Sequence, residues 1–134
     1  MKKFNKNHFI IIIIIIGFIV IVFNMISQPG AKDLKGNFKE LAFVRNEQND
    51  GPILRIYAVS LSEPHWEEME HYGNYMPHNK YGNTKVYFFL ENGVLPSQLK
   101  LGSNPFDTQY QENCIGVYEK DGMGVITLKK YPFK

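Results

Sequence analysis

The sequence is poor in cysteine, with Cys114 alone among 134 residues. One cysteine cannot close a disulfide within the chain, so the stability of the folded part has to come from packing. Cys114 also lies far beyond the apolar N-terminal segment, which excludes a lipid attached to a cysteine directly after that segment. Because free cysteine is among the most often buried residue types, we expect Cys114 to be a buried thiol.

The sequence also lacks the short motifs of several enzyme classes. It has no Gly-x-Ser-x-Gly nucleophile elbow, no His-Glu-x-x-His zinc motif and no Gly-x-x-x-x-Gly-Lys-Ser/Thr phosphate loop. Nucleotide hydrolysis therefore has no support. We predict no catalytic residue, no cofactor and no nucleotide ligand.

Net charge of either sign is nearly absent as well. The chain carries 15 basic and 13 acidic side chains, and Lys2, Lys3 and Lys6 supply three of the positive charges. The rest of the chain then holds 12 basic and 13 acidic side chains, a net charge of −1. This distribution gives no electrostatic footprint for a nucleic acid, and we predict none as a partner.

Apolar residues, by contrast, are concentrated near the N-terminus. Of the 18 residues 9–26, 16 are apolar and 10 are isoleucine. As a helix this segment is about 27 Å long, close to the ~30 Å hydrocarbon thickness of a bilayer, and it has no polar face. We therefore predict a transmembrane helix that attaches the protein to a membrane.

The residues around this segment predict its orientation. The three lysines before it favour a cytoplasmic N-terminus, which places residues 27–134 outside the cytoplasm. The apolar run is longer than the roughly 7–15 residues of a cleavable signal, and no Ala-x-Ala site follows it. We interpret it as an uncleaved, single-pass signal anchor in the cell membrane. Cleavage, giving a secreted or periplasmic protein, is the alternative.

The sequence divides into four parts on this interpretation. Residues 1–8 are a basic cytoplasmic stub and residues 9–26 the transmembrane helix. Residues 27–37 are polar and contain proline and glycine, which is typical of a tether. Residues 38–134 are long enough for one small extracytoplasmic domain.

Five segments of this domain have the composition of strands. They are rich in β-branched and aromatic residues, and turn residues separate the first pair at 49–52 and the last pair at 121–122. The predicted strands are residues 38–45, 53–60, 85–91, 114–120 and 123–129.

One helix is predicted between the second and third strands. Ser62 and Pro64 favour its first turn, and Gly73 favours its end. Residues 95–112 contain prolines and glycine and are predicted to be mostly irregular. The predicted fold class is α+β: an N-terminal transmembrane helix, then a small sheet of about five mostly antiparallel strands with one principal helix packed on one face.

The loop between this helix and the third strand is the candidate binding element. Its tyrosine and asparagine side chains combine flat apolar area with hydrogen bonding, as in the recognition of proteins and sugars. We predict a binding module of the bacterial envelope that recognises another envelope or exported protein, for example an immunity-type protein or an accessory subunit. Alternatively, the tyrosines cover the core. The candidate binding residues are Tyr72, Tyr75, His78, Tyr81 and Asn83.

A small extracytoplasmic hydrolase is the alternative from a different class. Glu67 and His71 are four residues apart, so they share a helix face, and His78 follows in the loop. Carboxylate and imidazole groups are common metal ligands. These three residues are the candidate site of a metal- or carboxylate-dependent enzyme, although an exposed, weakly paired helix face has the same spacing.

Overall fold

The computed structural model describes residue 3 and residues 5–27, 30–47 and 51–134. Each predicted strand is present, with its ends displaced by three residues at most; the turn predicted at 49–52 lies partly outside the described residues. Short 3₁₀ turns occur at Ala31–Asp33 and Thr108–Asn113. The other described elements are α1 Lys6–Ile26, β1 Lys39–Arg45, β2 Leu54–Leu61, α2 Trp66–Tyr75, β3 Asn83–Leu90, β4 Cys114–Lys120 and β5 Ile126–Lys130.

The five strands form one open sheet in the order β1-β2-β3-β4-β5, with β1 and β5 at its edges. β2 and β3 are parallel, whereas the other three neighbouring pairs are antiparallel. Parallel strands need a crossover connection, because a tight turn joins only antiparallel strands, and α2 provides that crossover. The predicted α+β class is confirmed, and the sheet is mixed.

α1 is the long apolar helix expected near the N-terminus. It has 21 residues, which corresponds to about 32 Å at ~1.5 Å per residue. Its mean hydropathy is 3.3 over an 18-residue window, and none of that window is buried. By length and composition, α1 is able to cross a membrane, which supports membrane association of the protein.

α2 packs on one face of the sheet and forms the first of two apolar cores with it. Met69 and Tyr72 of the helix are buried against Phe88 of β3 and Tyr118 of β4. Phe38, just before β1, stacks on Tyr72 with 4.9 Å between the ring centroids. Such aromatic pairs add about 0.5–1.5 kcal/mol to the contribution of buried area. The other buried members of this core are Tyr57, Val59, Leu61, Val86 and Ile115.

Both ends of α2 differ from the predicted ones. Ser62 does not cap the helix, because the helix begins at Trp66 with His65 at the N-cap position. The N–H and the hydroxyl of Ser62 both donate to the carbonyl of Gly36 instead, at 2.8 and 3.1 Å. Gly73 does not end the helix but lies inside it. A Cβ at this position would come within 2.4 Å of the Tyr118 ring, so the glycine allows the helix to approach the sheet closely.

The opposite face of the sheet is covered by segment 91–113, which contains no strand. The Phe106 ring lies against Tyr87 and Phe89 of β3, with ring centroids 5.1 and 5.2 Å apart. Phe133 contacts Phe106 from the C-terminal segment, at 5.5 Å. Sequence patterning predicts cover on one face alone, whereas the structure buries the sheet on both. Leu95, Leu99 and Tyr110 also pack against this second core.

Cys114 belongs to the second core. A β-bulge at the start of β4 turns Cys114 towards this core and Ile115 towards the first one. The Cys114 side chain is 1% exposed, and its predicted state as a buried thiol is confirmed. Burial raises the pKa of the thiol to about 12. At neutral pH the sulfur is therefore protonated and a poor nucleophile.

The strand directions define two ends of the sheet. The chain arrives from α1 where β1 begins and where β2 and β3 finish, and we call this the tether end. The starts of β2, β3 and β5 and the end of β4 lie at the opposite end, which we call the distal end. The eight residues of β3 separate the two ends by about 26 Å.

Candidate functional site

Two loops meet at the distal end: residues 76–82, which follow α2, and residues 121–125, between β4 and β5. A Cβ on Gly122 would lie 3.1 Å from the backbone oxygen of Tyr81, so the two loops are in close contact. The end of the first loop is also held to the chain before β2, since the N–H of the next residue, Asn83, donates to the carbonyl of Ile53 at 2.9 Å. The two loops therefore form one continuous surface.

Side chains from the sheet hold the first loop in place. Arg55 Nη2 of β2 donates to Asn79 Oδ1 at 2.7 Å. The Thr84 hydroxyl of β3 is buried, donates to the carbonyl of Pro77 at 3.2 Å and lies 2.9 Å from His78 Nδ1. A loop that is fixed in this way has little conformational entropy left to lose when a partner binds.

Tyr81 is the most prominent side chain of this loop. Its backbone has a φ of 63°, in the left-handed region that residues with a side chain seldom adopt. The next residue, Gly82, approaches Ile53 so closely that a Cβ there would lie 2.6 Å from the Ile53 carbonyl oxygen. The Tyr81 ring is 64% exposed, with Lys80 Nζ 5.2 Å from its centroid. An exposed aromatic ring on a strained backbone is a feature of ligand-binding loops.

The second loop carries apolar side chains that composition predicts to belong to the last strand. β5 begins at Ile126, so Met123 and Val125 lie in the turn, where they are 85% and 57% exposed. Asp121 Oδ1 accepts both of their N–H groups at 2.9 Å and fixes the turn. The Asp-Gly dipeptide signals such a turn, but it does not reveal that apolar side chains project from it. We call Tyr81, Met123 and Val125 the distal patch.

The five candidate binding residues occupy three different environments. Tyr75 and Tyr81 are exposed, by 44% and 64%. His78 and Asn83 are half-buried, and Asn83 Nδ2 donates to Glu119 Oε1 of β4 at 2.7 Å. Tyr72 lies in the α2 core, where burial raises the pKa of its hydroxyl to about 12. The structure therefore places Tyr81 in the distal patch and Tyr72 in the core.

His78 lies in a positive environment. Desolvation lowers the pKa of the imidazole below its ordinary value of 6.5, and the neighbouring charges of Lys120 and Arg55 lower it further. The backbone carbonyl and the carboxylate of Asp121 act in the opposite direction. His78 is consequently neutral at pH 7 and acts as a hydrogen-bonding group rather than as a cation.

The three residues considered as metal ligands do not come together. His71 Nε2 lies 3.9 Å from Glu67 Oε1 on the exposed face of α2, while His78 is bonded to Thr84 at the distal end. In the described part of the chain, no group of three or more His, Cys, Asp or Glu side chains is placed to hold a metal ion. The hydrolase alternative thus has no assembled site among these residues.

Ser97 and Lys100 have the Ser-x-x-Lys spacing of a family of acyl-transfer enzymes. They line a cavity of about 180 Å³ together with Asp107 and Tyr110. Residues three apart share a face only on a helix, and residues 97–100 are not helical. No hydrogen bond joins the two side chains in the described structure, so this spacing does not assemble a nucleophile and its base.

A groove of about 660 Å³ lies at the tether end, outside the last residues of the parallel strands β2 and β3. Ligands of open α/β sheets often bind at this position. Ser60 is its buried polar residue, whereas Lys39 and Glu91 are exposed. Its polar side chains are joined by one long hydrogen bond, from Asn37 Nδ2 to Glu91 Oε2 at 3.4 Å. The groove is therefore less preorganised than the distal end.

Comparison with known protein families, with curated proteins and with solved structures finds no match for this chain.

Proposed function

We propose that the protein is a membrane-anchored binding module of the bacterial envelope, with its domain outside the cytoplasm. α1 is the anchor, and the domain recognises another envelope or exported macromolecule through the distal patch. The basic residues before α1, Lys2, Lys3 and Lys6, favour a cytoplasmic N-terminus. An immunity-type protein or an accessory subunit of an envelope complex has this organisation.

The exposure of the distal patch is the observation that carries this proposal. Its three side chains are between 57% and 85% exposed, so three large apolar side chains project from the loops at one end of the domain. Clusters of exposed apolar side chains mark interaction sites on soluble domains. Tyrosine is enriched among the residues that dominate binding energy, and methionine adapts its shape to irregular partner surfaces.

The position of the patch also supports a role in recognition. The chain enters the domain at the tether end, and the strands carry the patch about 26 Å away from that point. The loop that bears Tyr81 is held by Arg55 and Thr84, so that little ordering is needed on binding. Anchoring by α1 raises the effective concentration of the domain for a partner in the same membrane or close to it.

A photo-crosslinking amino acid placed at Tyr81 tests the recognition surface in intact membranes. We expect a discrete adduct of defined mass from this position. The matched control is the same amino acid at Val94, which is 59% exposed and follows β3 at the tether end; we expect no adduct from it. The additional substitution Met123→Asp is expected to abolish the Tyr81 adduct, because it introduces a charge into the apolar patch. Equal labelling from both positions would contradict the proposal.

A reporter enzyme fused after Lys134 tests the orientation. A periplasmic or extracellular reporter is expected to be active there, because the three N-terminal lysines favour retention of the N-terminus in the cytoplasm. The control replaces these lysines with glutamine, which should reduce the correctly oriented fraction. Activity of a cytoplasm-specific reporter alone at the same position would show that the domain lies inside the cell.

A further inference from the structure

Three basic side chains lie in one row across the distal end of the sheet. Arg45 of β1 is directly opposite Arg55 of β2, Arg55 is opposite Thr84 of β3, and Thr84 is opposite Lys120 of β4. Residues in direct register point to the same face of a sheet. This is the face that carries α2, since Tyr57 and Tyr118, two residues away along their strands, belong to the α2 core. We call Arg45, Arg55 and Lys120 the basic row.

The basic row forms no ion pair among the residues that the structure describes. All three side chains are half-buried, which makes an unbalanced charge costly. The ion pairs of the described part are Glu63 with His65, Glu67 with His71 and Glu119 with Lys85, so none of them involves the row. Like charges directly opposite each other on neighbouring strands are destabilising. The pairing of Arg45 with Arg55 is thus unfavourable unless an anion balances it.

The Arg55 guanidinium is oriented but incompletely bonded, and it lies close enough to the Tyr57 hydroxyl to act against the rise in the pKa of that group. Its Nη2 donates to Asn79 Oδ1 at 2.7 Å, which fixes the plane of the group. Its Nε is buried and has no hydrogen-bond partner in the described structure. Because buried polar groups are nearly always bonded, the unsatisfied Nε is a position for which water or an ion is a candidate partner.

Neutral hydrogen-bonding groups complete the surroundings of the row. His78 lies over Thr84, at 2.9 Å between Nδ1 and Oγ1, and it is close enough to Arg55 and Lys120 for both to act on its charge. Asp121 is the nearby carboxylate; its Oδ1 accepts two backbone N–H groups of its own turn, and it contributes one negative charge beside His78. α2 ends at the same end of the sheet, but the charge of about −0.5 at a helix C-terminus does not balance three cations.

We propose that the basic row, together with the Asn79 amide and beside His78, binds a phosphate group, either free phosphate or a phosphate ester. A carboxylate brings one negative charge and two oxygens. A phosphate monoester brings a charge of about −1.5 to −2 at pH 7 and three acceptor oxygens, which corresponds more closely to two guanidinium groups, an ammonium group and an amide N–H. Guanidinium also matches the geometry of phosphate oxygens better than ammonium does. This site is separate from the distal patch and does not depend on the identity of a macromolecular partner.

Titration of the purified full-length chain in dodecyl maltoside micelles, which contain no phosphate, tests the proposal. Inorganic phosphate, glycerol phosphate and acetate are compared at constant ionic strength, and the readout is the NMR titration of the His78 imidazole, assigned with His78→Gln. Bound phosphate is expected to raise the pKa of His78, because it offsets the charges of Lys120 and Arg55. We expect acetate to bind at least about tenfold more weakly.

Two substitutions localise the site. Lys120→Gln and Arg55→Gln are each expected to weaken phosphate binding by about tenfold or more, the loss of one charge-assisted hydrogen bond. Lys129→Gln is the matched control, because Lys129 lies on the opposite face of the sheet. It pairs with Val117, whose side chain packs against the second core. This substitution should change phosphate binding by less than about twofold. Arg55→Gln also removes the hydrogen bond to Asn79, so the thermal unfolding of each variant is measured. If Arg55→Gln does not fold, the phosphate affinity of Lys120→Gln alone tests the site.

The outcomes separate the site from its alternatives. Tighter binding of glycerol phosphate identifies an ester as the natural source, and tighter binding of inorganic phosphate identifies the free ion; both support the site. No change in the His78 titration, equal binding of acetate, or an equal effect of Lys129→Gln would overturn it. A failure here leaves the crosslinking experiment at Tyr81 unaffected, so the two proposals fail independently.

Discussion

Substitution of Phe106 by alanine is expected to lower the free energy of unfolding by about 3–5 kcal/mol, the usual loss for a buried phenylalanine. Phe106 is 6% exposed, and its ring contacts Tyr87, Phe89 and Phe133. It is the centre of the second core, so its removal leaves a cavity beneath segment 91–113. The measurement is denaturant unfolding of the full chain in detergent, with hydrogen exchange of residues 91–113 as a local readout.

Leu101→Ala is the control for this experiment. Leu101 lies in the same segment but is 43% exposed, and a substitution at such a position usually changes stability by less than about 0.5 kcal/mol. If Phe106→Ala had an equally small effect, segment 91–113 would be a dispensable loop rather than a layer of the fold. We expect instead that exchange accelerates throughout the segment, because the ring holds it against the sheet.

The substitution Gly73→Ala is expected to destabilise the protein by about 1–3 kcal/mol, the usual cost of overpacking, although alanine is the better helix former. Helix propensity alone would favour alanine by roughly 0.5–1 kcal/mol. The added Cβ, however, would lie 2.4 Å from Tyr118 Cγ. The Tyr118 ring is fully buried, and its hydroxyl donates to Asn74 Oδ1 at 2.8 Å, so it has little room to move.

A double-mutant cycle tests this explanation. In a Tyr118→Ala background the clash is gone, and Gly73→Ala should be neutral or stabilising, whereas the single substitution should be destabilising. Glu70→Ala, at an exposed position of the same helix, is the control for helix propensity and should have an effect within about 0.5 kcal/mol. Stabilisation by Gly73→Ala in the wild-type background would show that the ring yields and that the contact with Tyr118 does not set the sign.

These two substitutions also mark where sequence patterning is informative and where it is not. Strand composition and the Asp-Gly turn predict all five strands, because alternation and turn chemistry are local properties. The predicted ends of α2 are wrong, since Ser62 bonds to Gly36 in the segment before β1 and Gly73 faces Tyr118 from inside the helix. Both contacts join residues that are distant in the sequence. The packing of Phe106 cannot be predicted from the sequence either, because segment 91–113 has no hydrophobic periodicity.

The candidate site shows the same division. Tyr81 is found from the composition of its loop, whereas the exposure of Met123 depends on the late start of β5. The basic row depends on register across four strands, so no local pattern in the sequence reveals that Arg55 and Lys120 share a row. In the sequence, nothing distinguishes Tyr72 from Tyr75. The packing of α2 against the sheet buries the Tyr72 ring and leaves the Tyr75 ring exposed.

An open sheet has two edges, and each edge strand is a template for pairing with a further chain. In the proposed membrane-anchored state, copies of the protein would be concentrated in one plane, which promotes pairing of this kind. β1 is interrupted by a bulge between Glu40 and Ala42, while β5 has five residues and carries Lys129 and Lys130. Bulges, short edge strands and lysines are the means by which natural sheets resist aggregation. Both edge strands of the sheet therefore have features that oppose strand pairing between copies of the protein.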